Sequence, residues 1–368
     1  MSSSGKRALV TGACGYSAHY VIKQLLDEGW KVRATDLKNA DKTYIEPFGD
    51  KIEFVAADLT QKDTLKPAVK DIDVVFHPAA VFSYSAPMEI LRKVNVEGTK
   101  NLIEASIDAK TQKMVLWSSV ALYGTAGKKW YSIPITEDQE LNPKIEGRYD
   151  QSKREQEQAA MTYYKENGFP ITVIRPAPIY GGGSYYGIYT LFLYVKQASL
   201  PAGMRNLHKK SIPLAHVEDV ANAAIYLSDI KNYNGEAYNV VDDNDLDMLQ
   251  TLKYVAFNTG SRFKVMIPVP LLILKPIFKV FGIFSGWEAK HLRKKIDGKP
   301  QVPKLETDTV VYMFGNFHFS NEKLKQTGYK FKYPDRRIGL IETLKWYDEH
   351  GWLSPHKGVL LKKEPKKR

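Results

Sequence analysis

A short apolar run, Arg7–Val10, leads directly into Thr11-Gly12-Ala13-Cys14-Gly15-Tyr16-Ser17-Ala18 and then into a helical pattern over Tyr20–Glu28. Val21, Ile22, Leu25 and Leu26 give that helix one apolar face. A strand that becomes a helix within a few residues needs glycine where the backbone reverses. Gly12 permits the tight turn, Gly15 removes a side chain where another group must approach the backbone, and Ala18 is small enough for helix to pack on strand. This unit restricts the fold more than any other stretch. It reads as the first half of a right-handed strand–helix–strand crossover, and such crossovers build parallel sheets.

The alternation continues. Lys31–Thr35, Ile52–Ala56, Val74–His77, Met114–Ser118 and Ile171–Ile174 read as strands, and Asn95–Ala105 and Asp150–Asn167 as helices. The predicted class is α/β: a Rossmann doubly wound parallel sheet with a smaller C-terminal substrate-binding domain. The first domain is expected over residues 1–176 and the second mainly over 177–353. Residues 212–242 are expected to return to the first domain through a helix at Glu218–Leu227 and a strand at Glu236–Val240. Residues 354–368 are read as a basic tail.

The chain has 368 residues, 43% of them hydrophobic and 26% charged, so a packed core is expected and wholesale disorder is not. Its single cysteine, Cys14, excludes an intrachain disulfide. The opening MSSSGKRALVTG shows no apolar signal-peptide core, so the expected location is cytoplasmic. The net charge is +12, and Lys357–Arg368 carries six Lys or Arg against Glu364 alone. That run reads as a solvated tail or as a contact for anionic lipid. It suits nucleic acid too, but no recognition module accompanies it and no nucleic-acid partner is expected. Val265–Phe284 (VMIPVPLLILKPIFKVFGIF) is as long as a membrane span but holds Pro268, Pro270, Pro276, Lys275 and Lys279, which disfavour a spanning helix. It is read three ways: an element lying in a membrane interface, an apolar wall over a cleft, or a buried helical element.

The glycine turn opens a helix whose free N–H groups suit phosphates, so Gly12, Gly15 and Tyr16 are assigned to a dinucleotide. Asp36 ends the second strand about 20 residues on, where an acid bonds ribose hydroxyls. An aspartate there repels a 2′-phosphate, so NAD is expected, while Lys38 nearby keeps NADP open. Asp58 either accepts from the adenine amino group or caps a helix. Cys14 is read as a small filler. Tyr149 and Lys153, four apart, share one helix face. A phenol with its usual pKa of about 10 is a poor proton donor or acceptor at neutral pH, and a lysine ammonium beside it lowers that value. Ser118-Ser119 ends the preceding strand and supplies a hydroxyl to orient a substrate oxygen.

Taken in order, TGACGYSA, Asp36, AADLT with Asp58, HPAAV from His77, NVEGT from Asn95, SSVALYG from Ser118, YDQSK, RPAPIYGGG from Arg175 and HVEDVA from His216 resemble the extended short-chain dehydrogenase/reductase family, of the NAD-dependent epimerase/dehydratase type. The resemblance runs from Thr11 to about Val220, with weaker matches near Phe319 to Trp346. It implies that Ser119 is the catalytic serine beside Tyr149 and Lys153. It implies that Ala79 and Ala80 flank the cofactor, that Tyr149 and Lys153 also bind it, and that Asn95 lies on a helix supporting the lysine through water. His216 becomes a helix-start residue and His77 a structural one. Asp150 before Gln151 and Ala18 in place of glycine depart from the usual pattern. RPAPIYGGGSYY (residues 175–186) looks like the 3β-hydroxysteroid and sterol dehydrogenases, which implies a hydrophobic substrate and peripheral membrane contact through 265–284 and the tail. Tyrosines between Tyr180 and Tyr194 are read as an aromatic pocket or as ordinary packing. No metal is expected, and a homodimer is open to the chain. The alternatives are a sugar-nucleotide epimerase or dehydratase with tightly held NAD, and a non-catalytic dinucleotide-binding protein.

Overall fold

The computed structural model describes residues 5–84, 86–124, 131–145, 147–184, 189, 192, 195, 203–204, 211–243, 246–260, 265–266 and 317–352. Strands β1 (Arg7–Thr11), β2 (Lys31–Asp36), β3 (Ile52–Ala56), β4 (Val74–His77), β5 (Lys113–Trp117), β6 (Ile171–Pro176) and β10 (Ala237–Val240) form one seven-stranded sheet in the order β10-β6-β5-β4-β1-β2-β3. Every pairing in it is parallel. Two short parallel pairs stand beside it: β7 (Ile179–Tyr180) with β9 (Ala215–His216), and β8 (Gly203–Met204) with β11 (Val265–Met266).

The central strands β1, β4, β5 and β6 read as nearly unbroken apolar runs because helices cover both faces. Side chains alternate between the faces. Ala8 and Val10 of β1, Val74 and Phe76 of β4, and Val115 and Trp117 of β5 enter one core, which contains α1 (Tyr16–Asp27) and α6 (Val217–Tyr226). Leu9, Val75, Met114 and Leu116 enter the other, with α2 (Lys62–Val69), α4 (Gly98–Asp108) and α5 (Arg148–Asn167).

Two helices depart from expectation by more than two residues. Helix α1 starts at Tyr16, four residues before its apolar periodicity begins, because Gly15 serves as its N-cap. The helix expected at Asn95–Ala105 is preceded by α3 (Met88–Leu91) and a π-helical turn, Arg92–Glu97. Such wide turns gather at functional sites. Here the Asn95 side chain reaches out to the backbone of Val81, accepting from its N–H at 2.8 Å and donating to its carbonyl at 3.2 Å. α4 then begins at Gly98, where a methyl group would sit 2.8 Å from Leu59 Cβ. Of the apolar segment Val265–Phe284, the first two residues form β11, and 267–284 lie outside the described residues, as does the basic tail. Among the described residues no helix is long and apolar enough to cross a membrane.

The second half is completed by α7 (Met248–Asn258), α8 (Glu322–Gln326) and α9 (Arg336–Glu349). The first residue of α9 is pinned by charge. Arg336 is fully buried and donates from Nε and Nη2 to the two oxygens of Asp242, each at 2.7 Å. Removing one member of such a pair strands the other charge without water. Arg336→Met is therefore expected to lower unfolding free energy by about 3–5 kcal/mol, against less than about 0.5 kcal/mol for Lys66→Ala in an exposed pair. Urea unfolding of the two variants checks this.

Candidate active site

Strand order reverses at β1 and β4, neighbours in the sheet: the chain builds outward to β2 and β3 on one side and to β5 and β6 on the other. Loops leaving the carboxyl ends of β1 and β4 diverge there and open a crevice. Gly12 forms its floor. It holds φ of +57°, and a methyl group on it would lie 2.9 Å from Ala79 Cα. Both the backbone angle and the close approach to the loop after β4 thus require glycine. Ala79 N–H also donates to Thr11 Oγ1 at 3.4 Å, and Ala80 follows it. Gly15 caps α1 with no side chain, so the helix begins with amides that no capping side chain satisfies.

Asp36 lies against this loop. Its Oδ2 accepts from Cys14 N at 3.0 Å and its Oδ1 from Leu37 N at 2.7 Å. A carboxylate has about four lone-pair positions, so these bonds fix its place without exhausting it. Burial and the Asp36 charge push the Cys14 thiol up to about 11, which removes it from thiolate chemistry near neutral pH. Asp58 is engaged in its own turn, Oδ1 accepting from Thr60 N at 2.8 Å and Thr60 Oγ1 at 2.9 Å. Tyr16 is the first residue of α1, and its ring turns away from the loop. A methyl group on Gly181 would come within 2.7 Å of the Tyr16 hydroxyl.

The candidate catalytic groups meet where β5 ends. Ser119 is extended, with φ −164°, and its Oγ accepts from Ala121 N at 3.1 Å. Its hydroxyl is close enough to Tyr149 to favour the phenolate. Tyr149 and Lys153 lie one turn apart on α5, only 7% and 2% exposed. The Lys153 ammonium donates to Trp117 O, the last carbonyl of β5, at 2.6 Å and to Gln156 Oε1. Burial lowers the Lys153 amine to about 7. Burial, with the Asp150 charge adding to it, raises the Tyr149 phenol, and the neighbouring Ser119 hydroxyl works against that rise. Phe82 and Tyr84, on the loop after β4, stand edge-on to the Tyr149 ring at 5.0 and 5.5 Å. Asn95 Nδ2 donates to Ser152 Oγ at 3.1 Å, so the π turn braces α5 directly.

Some functional neighbours escaped the reading of the sequence. Tyr20, Tyr44 and Tyr347 donate to the carbonyls of Gly182, Gly183 and Ser184 at 2.7, 2.8 and 2.6 Å. They hold the glycine run after β7 against α1 from three distant parts of the chain, which no local pattern announces. His216 does cap α6, accepting from Glu218 N at 3.3 Å. A cavity of about 570 Å³ lies elsewhere, at the β6–β10 edge, lined by Glu137, Glu157, Arg175 and Lys323 among others. The Arg175–Glu157 pair at its wall, 2.5 Å apart, is buried and self-satisfied.

A doubly wound parallel sheet with a glycine turn at its switch point and a tyrosine–lysine helix beside it defines a dinucleotide-binding protein of the short-chain dehydrogenase/reductase class. The chain belongs to the NAD dependent epimerase/dehydratase family, whose model matches residues 8–240. It is 29% identical over 249 residues to the sterol-4-alpha-carboxylate 3-dehydrogenase, decarboxylating, of Bos taurus, covering 66% of each chain. It is 26% identical over 356 residues to the UDP-N-acetyl-alpha-D-glucosaminuronate decarboxylase of Bacillus cytotoxicus, covering 94% of this chain and 98% of that one. The NAD complex of UDP-glucose 4-epimerase from Thermus thermophilus shares the fold, with a TM-score of 0.66 at 20% identity over 93% of this chain and 98% of that one. NAD is the cofactor of this family, and the uncapped amides of α1, the Asp36 carboxylate and the Lys153 ammonium are a donor and acceptor set that fits it.

His77, fully buried at the end of β4, has its pKa lowered from 6.5 to about 3 by burial and by the Lys153 charge. The unfolded chain binds the proton more readily, so the contribution of neutral His77 to stability is complete above pH 6.5 and is lost as the pH falls towards 3. Across that window wild type is expected to lose about 1.4 kcal/mol per pH unit more than His77→Gln. Urea midpoints of the two proteins between pH 7 and about 4 measure the difference directly.

Proposed function

We propose that this protein is an NAD-dependent oxidoreductase that interconverts a secondary alcohol and a ketone on a hydrophobic, sterol- or isoprenoid-like substrate. The observation that carries the reading is the meeting of Ser119, Tyr149 and Lys153 at the end of β5, beneath an apolar surface. Val81, Tyr84, Ala86, Leu91 and Met88 gather around the Tyr149 ring, and Phe82 remains 51% exposed beside it. An aromatic approach to the reacting hydroxyl suits a flat apolar substrate. Bound NAD supplies the centre that accepts or returns hydride.

In this reading the Ser119 hydroxyl orients and polarises the substrate oxygen, and Tyr149 Oη passes the proton to or from it. Burial favours the neutral phenol, which is the form that donates when a ketone is reduced. The Lys153 ammonium draws the phenolate form back within reach for the oxidative direction and holds ribose hydroxyls. Gly12, Gly15, the Tyr16 backbone and Asp36 bind the dinucleotide, with Ala79 and Ala80 against it. The segment after Pro176 supplies most of the substrate contacts.

Tyr149→Phe is expected to cut turnover at least about 100-fold while NADH binding stays within a few fold. The assay is NADH-dependent reduction of 3-keto sterols in detergent, paired with NADH fluorescence titration. Failure to reduce any hydrophobic ketone, together with indifference to lipid vesicles, removes the substrate assignment.

The relative from Bacillus cytotoxicus favours a second reading, a sugar-nucleotide enzyme that uses the same three residues and keeps NAD through its cycle. Mass spectrometry of the purified protein separates the two: retained NAD with binding of a uridine or thymidine diphosphate sugar supports the second.

A further inference from the structure

Lys153 is buried, and the carboxylate on its own helix, Glu157, acts on it only through its charge, with no hydrogen bond between them. Glu157 takes Arg175, which donates to both its oxygens. The hydrogen bonds of the ammonium therefore go to neutral acceptors. One is Trp117 O and the other is the amide of Gln156.

The orientation of that amide follows from counting donors. A threonine hydroxyl has one proton to give and two lone pairs to accept with. Thr99 Oγ1 gives its proton to Asn95 O at 2.7 Å, in the π turn. Its other two partners must then be donors: His77 Nε2 at 2.9 Å and Gln156 Nε2 at 2.8 Å. His77 is thereby fixed as the Nε2–H tautomer, and its bare Nδ1 accepts from Thr11 Oγ1 at 2.7 Å. With the NH2 of Gln156 committed to Thr99, only its carbonyl can face the ammonium.

We propose that Gln156 is a positioning residue for Lys153, its carbonyl held on the ammonium by a buried chain that runs from Thr11 at the glycine turn through His77 and Thr99. The proposal rests on the role given to Lys153 above. Gln156 keeps a desolvated ammonium in place through a neutral carbonyl rather than a directly bonded carboxylate. The chain also joins the strand that carries the cofactor loop to the helix that carries the acid–base group. Of the titratable groups around Lys153, Glu157 on α5 favours the protonated form of the lysine, and His77 on β4 stays neutral across the working range.

The test is the pH dependence of NADH affinity, read by fluorescence from about pH 6 to 10, in wild type, Gln156→Glu, Gln156→Leu and Lys153→Met. Circular dichroism and thermal midpoints verify folding. Affinity in wild type is expected to weaken as Lys153 loses its proton. Gln156→Glu should move that inflection upward by about one pH unit or more, and Gln156→Leu should move it downward. If both folded Gln156 variants keep the wild-type inflection while Lys153→Met abolishes it, the positioning role is overturned and the reading of Lys153 survives. If Lys153→Met itself keeps the inflection, the reading of Lys153 fails and the proposal fails with it.

Discussion

Covering a parallel sheet on both faces is the constraint from which the site follows. A strand such as β1 sends Ala8 and Val10 into one core and Leu9 into the other, so it has no side left for water. Polar chemistry is displaced to the strand ends. Because all seven strands run the same way, their carboxyl ends share one edge, and that edge is where Gly12, Asp36, Ala79 and Ser119 stand. The reversal of order between β1 and β4 then parts the loops and leaves a crevice.

Within that edge, the helix α5 has a conflict to resolve. It must be buried to present Tyr149 to the crevice, and burial opposes both ionised forms that an acid–base pair passes through. Lys153 meets this with the Trp117 carbonyl and the Gln156 amide. For Tyr149 the neighbouring Ser119 hydroxyl offsets part of the rise. The π turn at Arg92–Glu97 contributes on both counts, since it places Asn95 on Ser152 and gives Thr99 the acceptor that orients the chain behind Lys153.

Much of this was legible one residue at a time. Strand limits came close because two-sided burial leaves an apolar run that ends at the first polar or glycine residue. The glycine turn was legible because only glycine serves at Gly12, where backbone angle and the approach of Ala79 agree. Helical spacing singles out Tyr149 and Lys153 and the family resemblance singles out Ser119; the structure places all three near the end of β5. The sequence allows Asp58 two roles; Gln61, not Asp58, is the N-cap of α2, and Asp58 is bonded to Thr60 in a turn because a short acid after a strand satisfies the nearest amide first.

The sequence by itself determined the parallel sheet, the place of the glycine turn and the shared helix face of Tyr149 and Lys153, because each depends on residues close in the chain or on a repeated spacing. Tertiary structure alone decided which polar groups answer one another. The hydroxyls of Tyr20, Tyr44 and Tyr347 on the glycine run, the Arg336–Asp242 pair, and the path from Thr11 through His77, Thr99 and Gln156 to Lys153 all join residues far apart in sequence. A buried polar atom takes whichever partner the packed core brings within about 3 Å, and no periodicity along the chain encodes that distance.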